Sequence, residues 1–383
     1  MREVVIVEGI RTPVGRRNGV FRDIRPDDLA AEVLKKLVEK TGIDAAIIDD
    51  VILGCVSQAG EQAGDIARVA SLIAGYPIEV PGVTLDRQCG SSQQAVHFAA
   101  QAILAGDMDV IVAGGVENMS RVPIGSNYQG TKPSQKYVDK YEVIHQGLSA
   151  ERIAERWGIT REECDQLSVE SHERALRAQR EGYFEREIIP IVGSDKEGNP
   201  TEVREDSGPR PGTTLEVLAG LKTVFKEDGV IHAGNSSQIS DGAAVLLLME
   251  RKKAEELGLK PRFKVNTRVV VGSDPTLMLT GPIPATQKVL EKSGLSIDDI
   301  DVFEVNEAFA PVVLAWLKET GADSKKVNPN GGAIALGHPL GGSGARLMVT
   351  LMHELERTGG RYGLQTMCEG HGMANATIIE RLD

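Results

Sequence analysis

An α/β fold is the architecture this sequence predicts, and three features predict it. Short apolar runs alternate with amphipathic helical stretches, glycine- and serine-rich turns join them, and a loose version of the pattern occurs twice along the 383 residues. Residues 3–8 read as a buried strand around Val4-Val5-Ile6-Val7, and Arg11-Thr12-Pro13-Val14-Gly15 as the loop after it. Leu29, Ala30, Val33, Leu34 and Leu37 share one face of a helix over 27–40. A strand at 51–56 and a helix at 65–73 follow. Ala95, Val96, Phe98, Ala99, Ala102 and Ile103 recur at helical spacing, so a helix runs over 91–105, with a strand at 110–114 behind it. This alternation predicts a largely parallel sheet.

After Ser120 the composition shifts. Residues 121–140 are rich in Pro, Gly, Ser, Asn, Lys and Tyr without a period and read as an extended surface loop. Charged helices follow at 149–157 and 161–181, the second opened by a Thr160/Glu163 capping box. The span 121–228 therefore reads as an insertion over the first domain, either a solvated cover or a ligand lid. A polar turn at 233–242 leads into a buried strand at 243–249. A second α/β series then begins at 262, with helices at 285–293, 308–320 and 343–357 and strands at 301–305, 363–368 and 377–381.

The net charge of −12 argues against nucleic acid or an anionic membrane as the main partner. No apolar run approaches membrane-spanning length. Cys55, Cys89, Cys164 and Cys368 lie far apart, which predicts free thiols and a reducing cytoplasm.

Cys89 lies in Asp86-Arg87-Gln88-Cys89-Gly90-Ser91-Ser92, immediately before the helix at 91–105. Ser91 or Ser92 can cap that helix, and the positive end of its dipole favours thiolate over thiol. The competing reading is a buried cysteine packed as a small hydrophobe. His338 stands in the glycine-rich loop 330–339, where an imidazole can take a proton from a thiol near neutral pH; a lone histidine is otherwise structural. Asn306 and Glu307 follow a buried strand, and Cys368 ends another, at the carboxyl edges where ligands gather in open α/β sheets. A zinc site from Cys89, Cys368, His338 and His371 is disfavoured, because no C-x-x-C pair exists.

Cys89-Gly90-Ser91-Ser92, Asn306-Glu307-Ala308-Phe309, Gly337-His338-Pro339 and Cys368-x-Gly370, in this order, resemble the motifs of the thiolase family. The likeness extends over essentially the whole chain from Val7-Glu8-Gly9-Ile10-Arg11-Thr12-Pro13. It implies a thiolase-like fold layered α-β-α-β-α: one half at 1–120 continued at 229–261, a loop domain at 121–228 covering coenzyme A, and a second half at 262–383. It implies that Cys89 accepts an acyl group from a CoA thioester, that His338 activates it, and that Cys368 moves the proton at the α-carbon. Asn306, through a water, and His338 would form one oxyanion site; the backbone N–H groups of Cys89 and Gly370 would form the other. His145 and Ser237 match positions contacting the pantetheine arm, and Lys222 one near the nucleotide. The family implies no permanently bound cofactor, acyl-CoA and CoA as substrates, and a homodimer or homotetramer.

A ketoacyl synthase would carry histidines where Asn306 and Cys368 stand, and a non-catalytic CoA-binding protein need not keep Cys89, His338 and Cys368 together. The chain departs from the family pattern in a short segment between Met119 and His145 and in His371, where glycine is usual. His371 reads as a turn residue tolerating positive φ, with a pocket-wall role as the alternative. The wording around Cys89 leans toward thiolases of longer-chain and steroid side-chain β-oxidation.

Overall fold

Alternating apolar runs and amphipathic helices build the chain, and the computed structural model describes residues 2–382. Strand β1 (Val4–Arg11) and the short β2 (Gly15–Arg16) precede α1 (Pro26–Thr41), β3 (Asp50–Gly54), α2 (Ile66–Ile73), β4 (Gly82–Leu85), α3 (Ser91–Ala105) and β5 (Val110–Asn118). Then come α4 (Gln135–Val138), α5 (Gln146–Trp157), α6 (Arg161–Arg180), a hairpin of β6 (Ile191–Ser194) and β7 (Pro200–Val203), and α7 (Leu215–Ala219). The chain closes with β8 (Ser240–Glu250), α8 (Arg251–Glu256), β9 (Phe263–Gly272), α9 (Pro282–Ser293), β10 (Val302–Val305), α10 (Ala310–Thr320), α11 (Ala333–Leu336), α12 (Leu340–Thr358), β11 (Tyr362–Glu369) and β12 (Met373–Arg381).

The main sheet runs β4-β3-β5-β8-β1-β9-β12-β11-β10, with β2 paired to β8. Among the described residues, its parallel pairs are β3–β4, β3–β5 and β10–β11, so the expectation of a largely parallel sheet is corrected. β8 enters antiparallel between β1 and β5, and β12 antiparallel between β9 and β11. Each half thus keeps a parallel pair or trio at its outer edge and an antiparallel centre. The loose sequence repeat is a structural one: α3 leads into β5 as α12 leads into β11.

Helices and sheet alternate in five layers. Leu29, Leu34 and Leu37 of α1 and Ile66 of α2 pack on Val51, Leu53, Val112 and Leu247. Val96 and Ile103 of α3, with Met348 and Leu351 of α12, fill the space between Ile111 and Leu246 on one side and Phe263, Val265 and Ile379 on the other. Val289 of α9 and Val313 and Trp316 of α10 cover Phe303, Leu364 and Ala376. The central layer is closely packed. A side-chain carbon at Gly344 would collide with the backbone of Gln93, so glycine lets α12 lie directly against α3.

Several boundaries differ from expectation. Strand β4 was not legible, because its four residues are only partly buried at the sheet edge. Helix α12 starts at Leu340, before Gly341-Gly342, since close packing there favours glycine despite its low helix propensity. The Thr160/Glu163 capping box forms as the pattern demands, with Glu163 N donating to Thr160 Oγ1 at 3.1 Å and Thr160 N to Glu163 Oε2 at 2.7 Å. Residues 121–140 hold only short turns and α4, and most are exposed.

Candidate active site

The carboxyl ends of β3, β4, β5, β10 and β11 converge, and each is followed by a loop carrying a candidate residue or its support. The turn after β4 carries Cys89. Gln88 adopts φ 48°, which swings the chain from strand into helix. Ser91 Oγ accepts from Arg87 N at 2.9 Å and donates to Gln88 O at 2.6 Å. Ser92 Oγ accepts from Ala345 N at 2.8 Å. Neither serine caps α3, whose N-cap is Gly90 without a side-chain bond; one braces the turn and the other ties α3 to α12.

Cys89 is 7% exposed, and burial raises its pKa well above the ordinary thiol value, reinforced by neighbouring Cys368 and Glu369. This corrects the expectation of a standing thiolate. Loss of solvent outweighs the helix end, so the resting group is a thiol. Cys368, wholly buried, is pushed up to about 12 by the same loss of solvent.

The His338 imidazole has its hydrogen bonds arranged in advance. His338 Nδ1 lies 2.5 Å from Ser343 Oγ, and Ser343 Oγ donates to Pro339 O at 2.8 Å. The hydroxyl has one proton, so it accepts from the imidazole, and the hydrogen of a neutral His338 sits on Nδ1. Nε2 is then the basic nitrogen, 3.4 Å from Asn306 Nδ2. Burial and the nearby Arg346 charge lower the His338 pKa to about 3, which keeps the ring neutral.

Asn306 is held by its strand and loop: its N–H donates to Thr366 O at 3.1 Å, following the β10–β11 register of Val305 against Thr366. Glu307 accepts from Ser171 Oγ, Asn328 Nδ2 and Ile334 N at 2.7–3.1 Å. It therefore anchors the loop. Glu117, at the end of β5, accepts from Val56 N, Ser57 N, Gln62 Nε2 and Gly341 N. It pins the start of α12 two residues beyond Pro339.

Cys89 and Gly370 line one cavity of about 250 Å³, with Val56, Ile124, Tyr128, Tyr137, Met278 and Leu340 among its apolar walls. His371, at φ 64°, lies on its rim edge-on to Tyr137, ring centroids 6.4 Å apart. His145 stacks on Phe225 at 4.8 Å, and Phe225 meets Phe309 of the Asn306 loop at 6.1 Å. Its Nδ1 accepts from Gly147 N, capping α5. The Ser237 N–H donates to Ala308 O at 3.0 Å. Lys222 is exposed and is not among the residues lining the cavity. The structure thus sets Cys89 beside Cys368, puts Cys89 and Gly370 on one cavity and joins Asn306 to His338, reaches the Asn306 loop from His145 through the Phe225–Phe309 contact and from Ser237 through the Ala308 bond, and leaves Lys222 on the surface.

Ser343 and Glu117 support this site without having been singled out by the sequence. A hydroxyl five residues after His338 at the start of a helix was the available signal for Ser343. A carboxylate ending an apolar strand was the signal for Glu117.

Residues 4–252 match the thiolase N-terminal domain and residues 259–381 the thiolase C-terminal domain. The chain is 53% identical to a steroid 3-ketoacyl-CoA thiolase of Mycobacterium tuberculosis, an alignment covering all of this chain and 95% of the relative. It is 47% identical to a 3-oxoadipyl-CoA/3-oxo-5,6-dehydrosuberyl-CoA thiolase of Escherichia coli over the full length of both. The crystal structure of the Bacillus anthracis acetyl-CoA acetyltransferase superposes with a TM-score of 0.93 at 41% identity, covering 100% of this chain and 99% of that one. Fold, motifs and both domain matches agree: the chain belongs to the thiolase family and is an acyltransferase.

Proposed function

We propose that this thiolase cleaves 3-ketoacyl-CoA to acetyl-CoA and a shortened acyl-CoA, or condenses two acetyl-CoA in reverse, through an acyl group carried on Cys89. The observations that support it most are the two neighbouring buried thiols, Cys89 and Cys368, and a tautomer-defined His338 whose Nε2 meets Asn306. In cleavage, Cys89 gives its proton to His338 Nε2 as sulfur attacks the 3-keto carbon. Asn306 and His338 on one side, and the N–H groups of Cys89 and Gly370 on the other, are assigned to the two oxyanions. The C2–C3 bond then breaks, its electron pair passes to C2, and the Cys368 thiol protonates that carbon. Acetyl-CoA leaves. The thiol of the incoming CoA gives its proton to the Cys368 thiolate and attacks the acyl-Cys89 carbonyl. Acyl-CoA departs, and His338 returns the proton to Cys89.

The burial of His338 and Cys368 accounts for neither charge persisting at rest: each forms only while its partner charge is present. The apolar cavity walls support an acyl chain longer than acetyl as the preferred substrate. His145 and Ser237 are assigned to the pantetheine arm, Lys222 to the nucleotide end, and the 121–228 segment to the cover over CoA.

The protein is proposed to work in the cytoplasm, a setting that suits its four free cysteines. No described helix is long and apolar enough to cross a membrane. A homodimer through the N-terminal half, or a tetramer of two such dimers, is proposed. Ile73, Ile78 and Val83 are exposed beside the edge strand β4, and apolar groups at an open edge favour association.

The deciding experiment is incubation with acetyl-CoA followed by peptide mapping. One acyl group per subunit is expected on the peptide containing Cys89. Acylation that persists in Cys89→Ala would overturn the reading.

A further inference from the structure

Beside the cysteine pair lies a carboxyl that the reaction as written does not use. Glu369 is the last residue of β11, directly after Cys368, and is fully buried. Among the described residues, neither of its oxygens has a hydrogen-bond partner, and the same is true of buried Asn375 Oδ1. Both side chains press on the turn that carries the nucleophile. A side-chain carbon at Gly90 would collide with Glu369 Oε1 and stand 2.8 Å from Asn375 Nδ2, which itself donates to Gly90 O at 3.1 Å. Glu369 is not among the residues lining the acyl cavity, so it acts on the site from behind.

The turn before α3 brings Asp86, Arg87 and Cys89, β11 brings Cys368, and the loop after β11 brings His371. Strand β12 offers Asn375 and Met373, both uncharged; Arg87 Nη1 points at Met373 Sδ, 3.6 Å away. An ionised carboxylate buried without a donor is costly, whereas a neutral acid is not.

We propose that Glu369 is a positioning residue for the cysteine pair: it fills the space behind Gly90 as a neutral carboxylic acid, and its ionisation suppresses thiolate formation at Cys89. The proposal rests on Cys89 being the nucleophile. The chemistry is a single proton. Glu369–COOH releases it to solvent, and the carboxylate left behind repels the charge that Cys89 must carry when it attacks. Burial moves the Glu369 pKa up to about 8, with Arg87 pulling it down and Asp86 pushing it up, so the acid form prevails at neutral pH and fades just above it. The same carboxyl acts against ionisation of both Cys89 and Cys368.

The test is the pH dependence of iodoacetamide alkylation of Cys89, followed by peptide mass spectrometry, in the wild-type protein and in Glu369→Gln. The two should react alike at pH 6.5, where the wild-type acid is already neutral. Near pH 9 the variant should react about three- to tenfold faster, a coupling of the size one buried charge exerts on a neighbour. The wild-type log-rate profile should show a shoulder near pH 8, a readout that needs no variant and decides the matter if Glu369→Gln folds poorly. Superimposable profiles without a shoulder would overturn the proposal. So would a variant slower by the same factor at every pH, the mark of a purely structural role. Acyl mapping to a residue other than Cys89, with the alkylation shoulder intact, would instead remove the assignment of the nucleophile and leave the coupling standing.

Discussion

Ser343 and His338 are joined by a 2.5 Å contact in which the serine, already donating to Pro339 O, can only accept. That contact fixes where the imidazole carries its hydrogen and therefore which nitrogen can receive a proton. Ser343→Ala should leave Nδ1–H buried and unpaired, a loss of about 1–3 kcal/mol in the orientation of the base. Acylation of Cys89 should slow by roughly 5- to 150-fold. Stopped-flow measurement of the first half-reaction checks this, and a rate within twofold of wild type would refute the tautomer argument.

The depressed His338 pKa has a kinetic consequence. With the value lowered to about 3, the neutral, proton-accepting ring is the main form at every pH above that. Cys89 acylation by a saturating thioester should therefore be flat from pH 5 to 7, without the limb near 6.5 that an ordinary histidine gives. A single-proton acid limb between 6 and 7 that disappears in His338→Asn would contradict the burial argument.

Cys368 and Cys89 should separate by reaction step. Cys368→Ala should still exchange acyl groups with free CoA slowly, because exchange moves no proton at carbon. Cleavage and condensation should fall by at least about a thousandfold, the upper range for losing a positioned acid–base. Parallel assays of acetyl-CoA/CoA exchange and thiolysis decide the point. Equal losses in both would mean Cys368 is not the carbon acid–base.

His371 tests the pocket-wall role. It holds a left-handed φ that glycine would adopt without cost, and its ring meets Tyr137 on the cavity rim. His371→Gly should change the preference between short and long 3-ketoacyl-CoA substrates by about tenfold or less, roughly 1.4 kcal/mol in the barrier. The pH profile should keep its shape. A larger loss of turnover, or a vanished limb, would make the imidazole a participant in the chemistry.

The amino-acid sequence determined the parts of this protein that depend on neighbours a few residues away. The helix over 91–105 and its position just after Cys89, the Thr160/Glu163 box, and the four motifs in family order are written in local spacing. Tertiary structure decided what depends on distant partners. Periodicity carries no sign of strand direction, so the antiparallel entry of β8 and β12 was hidden. The short edge strand β4 has too little buried surface to impose a pattern. Cys89 looked like a thiolate because the helix dipole is local, whereas burial in the folded chain keeps it a thiol, reinforced by Cys368 and Glu369 of β11 about 280 positions away. Asn306 and His338 are 32 residues apart, and only the pinning of their loops by Asn328, Glu307 and Glu117 brings Nδ2 to Nε2. Glu369 was visible as a letter between Cys368 and Gly370; its burial against Gly90 exists only because the sheet edge closes over the turn at α3.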